Sequence, residues 1–343
     1  MIRFECDYNN GCCDKVLKAI VDTNDDRTPG YGNDIYCSEA ADIIRKLCKN
    51  DDAAVHFISG GTQTNTIVIT SILKPYQGVI SADTGHINVH ETGAIEARGH
   101  KVLALKNTNG KISAEQVEEY CKSHYADESF EHIVQPGMVY ISNPTEIGTL
   151  YTKAELTALR RVCDKYDMPL FMDGARLGYG IMADSNDLTL DFIADVCDVF
   201  YIGGTKVGAL FGEAVVITND AIKKDFRYCI KQHGAMFAKG RLLGIQFKAL
   251  LEDGAYFDIS ERANKYAYMI RDAFKSKGFD FVVESPTNQQ FPILDNKSLE
   301  ALKEKYTFAT WGPVGDKTAV RFCTSWATPE EDVKALIADI NAL

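Results

Sequence analysis

The chain has 343 residues, 45% of them hydrophobic and 25% charged, with a formal net charge of −11. That length buries a large core and suits two domains, and the composition is that of a globular protein. An acidic balance without a basic stripe excludes nucleic acid as a partner, and no apolar run approaches the roughly 20 residues of a membrane span.

The start, Met1-Ile-Arg-Phe-Glu-Cys6, has no apolar leader core, so the expected compartment is the cytoplasm. The ten cysteines fit that reading: no CxxC pair occurs, and they are expected to be reduced, packed thiols. Residues 22–34 are polar and rich in Gly and Pro, an early loop long enough to carry function, with Tyr31 one candidate to reach a partner subunit's site. The apolar run at 53–58 predicts a buried strand. Ile58-Ser-Gly-Gly-Thr-Gln-Thr-Asn65 then turns into an apolar helical segment at 67–73. Such a turn offers unpaired backbone N–H groups and the positive end of a helix dipole, with Thr62 and Gln63 as side-chain donors, and suits a phosphate. It matches neither GxxxxGK[ST] nor GxGxxG, which argues against a nucleotide loop.

His86 and His90, followed by Glu91, are spaced to share a helical face, but no third residue completes a metal site, and none is assigned. Strands are predicted at 78–81, 101–105, 138–141, 170–172, 199–202 and 213–217, the last as an antiparallel hairpin partner of its predecessor. Ser113-Ala-Glu-Gln116 and Thr152-Lys-Ala-Glu155 are capping boxes opening helices between them. This alternation predicts an α/β fold with a mainly parallel sheet covered on both faces, over residues 1–240. Residues 241–343 read differently. A helical stretch to 277 precedes strand candidates at 279–284, 289–294, 306–311 and 318–322. Helices are predicted at 298–305 and after Thr328, with Thr328 as the cap, which makes a smaller α+β domain.

Two strand ends carry the chemistry. Asp173 stands at the carboxyl end of the 170–172 strand with Arg176 three residues on, a pair that on its own reads as a local ion pair. Lys206 sits in Tyr201-Ile-Gly-Gly-Thr-Lys-Val-Gly-Ala-Leu-Phe-Gly212, where glycines let the backbone approach a ligand. Lysine at such a place serves either as a phosphate-binding charge or as a Schiff-base nucleophile. A carboxylate to hold a protonated pyridine nitrogen, and an amine to form an imine, are what pyridoxal phosphate requires.

The motifs Gly60-Gly-Thr-Gln-Thr-Asn65, His86-Ile-Asn-Val-His-Glu-Thr-Gly-Ala94, Met172-Asp-Gly-Ala-Arg176, the Lys206 loop and Val320-Arg-Phe-Cys-Thr-Ser-Trp326 together resemble the L-threonine aldolase family of low specificity, relatives of the β-eliminating lyases. The resemblance implies an aspartate-aminotransferase-like fold (pyridoxal-phosphate fold type I) and retro-aldol cleavage of L-threonine or L-allo-threonine to glycine and an aldehyde. The alternative is a β-eliminating lyase or an aminotransferase acting on another small amino acid. The resemblance makes Lys206 the Schiff-base lysine and Asp173 the partner of the pyridine nitrogen. Gly61, Thr62 and Gln63 hold the phosphate, with Thr205 as an additional hydroxyl donor, and His86 stacks on the cofactor ring. Arg176 lies between cofactor and substrate, and Arg321 clamps the substrate carboxylate. The implied assembly is a homo-oligomer, dimer or tetramer, with shared active sites, and Lys231 in the segment 231–241 reaches a neighbouring subunit's phosphate.

Two departures bear on the substrate. Cys6 stands where the family often has a serine, which weakens one carboxylate contact. Asn143-Pro-Thr-Glu146 replaces an Asn-Thr-His pattern, removing a histidine near the β-hydroxyl. The base for that hydroxyl is left among His86, Glu146 and a bound water.

Overall fold

The computed structural model describes residues 1–343. Its frame is a seven-stranded sheet of β1 (Ala54–Ile58), β2 (Gln77–Ala82), β3 (Lys101–Leu105), β4 (Gln135–Ser142), β5 (Leu170–Asp173), β6 (Val199–Gly203) and β7 (Glu213–Ile217), laid in the order β1-β7-β6-β5-β4-β2-β3. Strands β2 to β6 pair in parallel, whereas β7 runs antiparallel to both β6 and β1. The glycine-rich turn after β6 is short enough for a hairpin, which fixes that reversal.

Period-two alternation sends successive side chains to opposite faces. Leu170 and Met172 enter one core with Val139, Ile141, Phe200 and Ile202, while Phe171 enters the other with Tyr140, Val199 and Tyr201. Both faces are therefore covered, as the continuous apolar runs require. Helices Ala114–Ala126 and Lys153–Lys165 open with the two expected capping boxes. Helix Ile35–Cys48 opens with Asp34, whose carboxylate accepts from Cys37 N at 2.9 Å. No helix is long and apolar enough to cross a membrane. All ten thiols are free, and Cys37, Cys48, Cys121, Cys163, Cys197 and Cys323 are buried.

The C-terminal part carries helix Ala255–Ser276 against antiparallel strands Ile293–Leu294, Ala309–Val314 and Lys317–Cys323. Ile270, Phe274, Leu299, Phe322 and Leu336 form its core, and Phe4 joins them because Ile2–Arg3 pairs in parallel with Tyr306–Thr307. The first residues thus pack with the last.

Several expected elements differ. The 240–277 stretch is two helices, Arg241–Leu251 and Ala255–Ser276, broken at Gly254, whose φ of 82 suits glycine. The segment at 279–284 makes only the Phe281–Pro292 bridge. The 289–294 strand splits into Gln289–Gln290 and Ile293–Leu294 around Pro292, which has no N–H for a ladder. The helix expected at 298–305 runs Asn296–Lys303, with Asp295 as its cap. Thr328 does not cap the last helix, Glu330–Ala342: Pro329 is at the N-cap, and the Thr328 hydroxyl instead accepts from Ser325 N at 2.8 Å.

Candidate active site

The carboxyl ends of β4, β5 and β6 open on one cleft. Lys206, Asp173, Arg176, His86 and Gly61 all line it, joined by Glu146. Ligands in open α/β sheets bind at this end of the strands.

Lys206 hangs in the turn between β6 and β7. Gly204 N and Thr205 N both donate to the Gly212 carbonyl, at 2.9 and 3.0 Å, and the Tyr179 hydroxyl donates to the Lys206 carbonyl at 2.6 Å. A side chain on Gly204 would put its Cβ 2.7 Å from the Gly212 oxygen, so glycine is needed there. Glu213 closes the clasp, accepting from Gly204 N at 3.0 Å and from the Thr205 hydroxyl at 2.8 Å. Gly212 N donates in turn to the Thr205 oxygen at 2.9 Å. Thr205 is therefore committed to shaping the loop, and its single proton goes to Glu213 rather than toward the cleft. Burial pushes the Lys206 ammonium down, and the Arg176 charge adds to this against the opposing charges of Asp7, Asp173 and Glu213. Burial likewise pushes Glu213 up, to about 8.

Both oxygens of Asp173 are occupied. Oδ1 accepts from the Tyr201 hydroxyl at 2.5 Å and from Ala175 N at 3.0 Å. Oδ2 accepts from the Tyr140 hydroxyl at 2.7 Å and from Asn65 Nδ2 at 3.0 Å. Burial raises this carboxyl, but the His86 charge and the hydrogen bonds of Tyr201, Asn65 and Tyr140 outweigh it and leave the group below its ordinary range. An ion pair between Asp173 and Arg176, the plain local alternative, does not form, since Arg176 pairs with Asp7.

Arg176 instead forks onto Asp7, and Asn288 Nδ2 donates to the same carboxylate at 2.9 Å. His86 pairs through Nδ1 with Glu91 Oε1 at 2.7 Å, and its backbone N–H donates to Glu146 Oε1 at 2.9 Å. Asn65 bridges Glu91 and Asp173, at 2.8 and 3.0 Å. One polar chain thus joins the histidine to the strand-end aspartate.

Helix Gly61–Ile72 begins at the cleft, and Gly60, its N-cap, supplies no side-chain acceptor. The first intrahelical bond is Thr64 N to the Gly60 carbonyl, so the N–H groups of Gly61, Thr62 and Gln63 have no backbone partner. The Gln63 side chain is largely used: it accepts from the Ser59 hydroxyl at 2.6 Å and donates to the His233 carbonyl at 3.1 Å.

Six expected site residues lie off the cleft lining: Thr62, Gln63, Thr205, Arg321, Cys6 and Lys231. Arg321 donates to the Glu5 carbonyl at 2.9 Å and to Gln289 Oε1 at 3.2 Å, and lies over the Trp311 ring. It is close enough to the site that its charge, after burial and His86, helps push His90 down. Cys6 turns its thiol to Asn9 Oδ1 at 2.8 Å and lines a separate groove with Asn10 and Ser325. Lys231 is exposed, its ammonium 4.8 Å from the centre of the Tyr31 ring.

Asn65, Tyr140, Tyr201 and Glu213 were not singled out by sequence. A tyrosine inside an apolar strand needs a partner for its hydroxyl, and that is the signal at 140 and 201. Asn65, by contrast, sits in the helix four residues after Gly61, and nothing local reveals its two acceptors.

A family model described as β-eliminating lyase matches residues 11–297. A low specificity L-threonine aldolase from a Pseudomonas species is 32% identical, covering 99% of this chain and 97% of that protein. A structure of Leishmania major threonine aldolase is 42% identical with a TM-score of 0.97, covering 100% of this chain and 99% of that one. A mutant aspartate aminotransferase from Thermus thermophilus shares the fold at 14% identity, with a TM-score of 0.72 over 100% of this chain and 91% of that one.

Proposed function

The chain belongs to the β-eliminating lyase family, and from that premise we propose that it cleaves L-threonine and L-allo-threonine to glycine and acetaldehyde with pyridoxal phosphate. The carrying observation is the single cleft that holds Lys206, Asp173 and His86 beside an uncapped helix start. The residues fit the cofactor. Three unpaired N–H groups at Gly61, Thr62 and Gln63 suit its phosphate, the Thr62 hydroxyl adds a donor, and the fixed Asp173 carboxylate suits its pyridinium. When bound, the cofactor supplies a carbonyl for amine exchange and a sink for the electron pair released at the substrate Cα.

Lys206 is the covalent attachment point. Its ammonium is lowered by burial, so the free amine needed for attack is reached at lower pH than in water. Asp173 holds a proton on the pyridine nitrogen, and the donors from Asn65, Tyr140 and Tyr201 keep it ionised for that task. His86, fixed by Glu91, covers one face of the site. Arg321 takes the substrate carboxylate; two of its N–H groups bind Glu5 and Gln289, which leaves one free on each terminal nitrogen. Arg176, anchored on Asp7, supplies positive charge in the same cleft as Lys206 and Asp173.

We infer from the family likeness a homo-oligomer in which Lys231, exposed beside Tyr31, completes the phosphate site of a second copy. The test of the proposal is product analysis after loading with pyridoxal phosphate. A visible absorption band with equimolar glycine and acetaldehyde from L-threonine supports it; absence of glycine contradicts it.

A further inference from the structure

We propose that Glu146 takes the proton of the substrate β-hydroxyl in the cleavage step, an assignment that rests on the aldolase reading above. Five carboxylates surround the cleft, and four are spent. Both oxygens of Asp173 accept hydrogen bonds, as do both of Asp7 and both of Glu213. Glu91 uses Oε1 on His86 and Asn65, while its Oε2 is sealed in the interior. Glu146 differs. Its Oε1 accepts from both the Ser142 hydroxyl at 2.7 Å and His86 N at 2.9 Å. Its Oε2 has no protein donor and is not among the sealed atoms.

Two donors on one oxygen fix the plane of the carboxylate and leave the other oxygen to the cleft that Lys206, Asp173 and Arg176 share. That is the geometry of an oriented base. The step balances within the substrate: the hydroxyl proton passes to Glu146 Oε2, and the O–H pair becomes the second bond of the aldehyde carbonyl. The Cα–Cβ bond breaks, and its pair stays at Cα.

Burial raises the Glu146 carboxyl above its ordinary value, and the nearby Asp173 charge adds to this, against the hydrogen bonds from Ser142 and His86. Tyr140 and Ser142 face it from β4, His86 from the 86–89 turn, Asp173 and Arg176 from the end of β5, Tyr151 from the start of the next helix, and Lys206 from the β6–β7 turn. A raised carboxylate is a stronger base near neutral pH, and general bases contribute about 10² to 10⁴ in rate.

Glycine has no β-hydroxyl and is the control. In the loaded enzyme, Glu146→Gln should lower kcat for L-threonine cleavage about 100-fold or more and abolish the acid limb of kcat/KM. It should leave calorimetric affinity for glycine, and exchange of its α-proton with D₂O followed by NMR, within about threefold. Glu146→Asp, which keeps a carboxylate, should retain the acid limb at a reduced kcat, and it serves if the amide variant does not fold. The assignment is overturned if Glu146→Gln keeps the acid limb, or if glycine binding falls as far as cleavage does, since a merely structural hold on His86 would have that effect. Failure of the parent enzyme to form glycine from L-threonine would instead overturn the aldolase reading.

Discussion

Arg176 donates from Nε and a terminal nitrogen to the two oxygens of Asp7, at 2.7 and 2.9 Å, across 169 positions of sequence. The pair fastens the N-terminal arm, which packs with the C-terminal sheet, to the end of β5 where Asp173 stands. Burial alone would raise the Asp7 carboxyl, but the Arg176 charge and hydrogen bonds, helped by Lys206 and Asn288, bring it down to about 2. Asp7→Ala would leave a buried guanidinium unpaired and should cost about 3–5 kcal/mol, measured by urea unfolding.

The same pair sets a pH dependence. A carboxyl depressed in the folded state stabilises it above the unfolded value of 3.8, and that contribution fades as pH falls toward 2. The stability gap between the parent chain and Asp7→Asn should therefore shrink by about 2 kcal/mol between pH 5 and pH 2.

Glu213 has the opposite sign. Its folded value is raised to about 8 from 4.5, so the folded state favours the protonated form. Stability contributed this way is complete below pH 4.5 and lost as pH rises through 8. Glu213→Gln keeps an oxygen acceptor for the clasp and should flatten the decline in thermal stability between pH 6 and 9. An unchanged slope would assign the decline to other groups.

Asp173→Asn should keep the covalent link at Lys206, trapped by borohydride and located by peptide mapping, because the lysine loop is held by Glu213 and Tyr179 rather than by Asp173. Turnover should fall by 10³-fold or more, on the order of 4 kcal/mol in the barrier. Lys206→Ala should lose the trapped link while the chain stays folded.

If sites are shared, Lys206→Ala and Lys231→Ala chains, refolded together, should recover activity that neither has alone. A chain that is monomeric by light scattering and fully active would refute the assembly.

The sheet was legible because every strand is an apolar run bounded by turn residues, and Lys206 and Asp173 were legible because glycines and charge stand where those runs stop. The β7 reversal was legible from the short turn at 208–212. The C-terminal strands were blurred because Pro292 interrupts a run that is otherwise continuous, and Thr328 follows Ser325 closely enough to bond within its own turn. What no local pattern carried was partnership: Asp7 for Arg176, Asn65 for both Glu91 and Asp173, and the two tyrosines on Asp173. These contacts exist only once the strands lie side by side.

Bond selection at the substrate Cα is tested directly by one measurement. The loaded enzyme is offered L-threonine, L-allo-threonine and L-serine in parallel, and glycine, acetaldehyde, 2-oxobutyrate and pyruvate are quantified over time. Glycine and acetaldehyde in equal amounts from both threonine isomers, at rates within about tenfold of each other, is the predicted result, tenfold corresponding to about 1.4 kcal/mol between the two barriers. Pyruvate from serine or 2-oxobutyrate from threonine as the main product, without glycine, would contradict it.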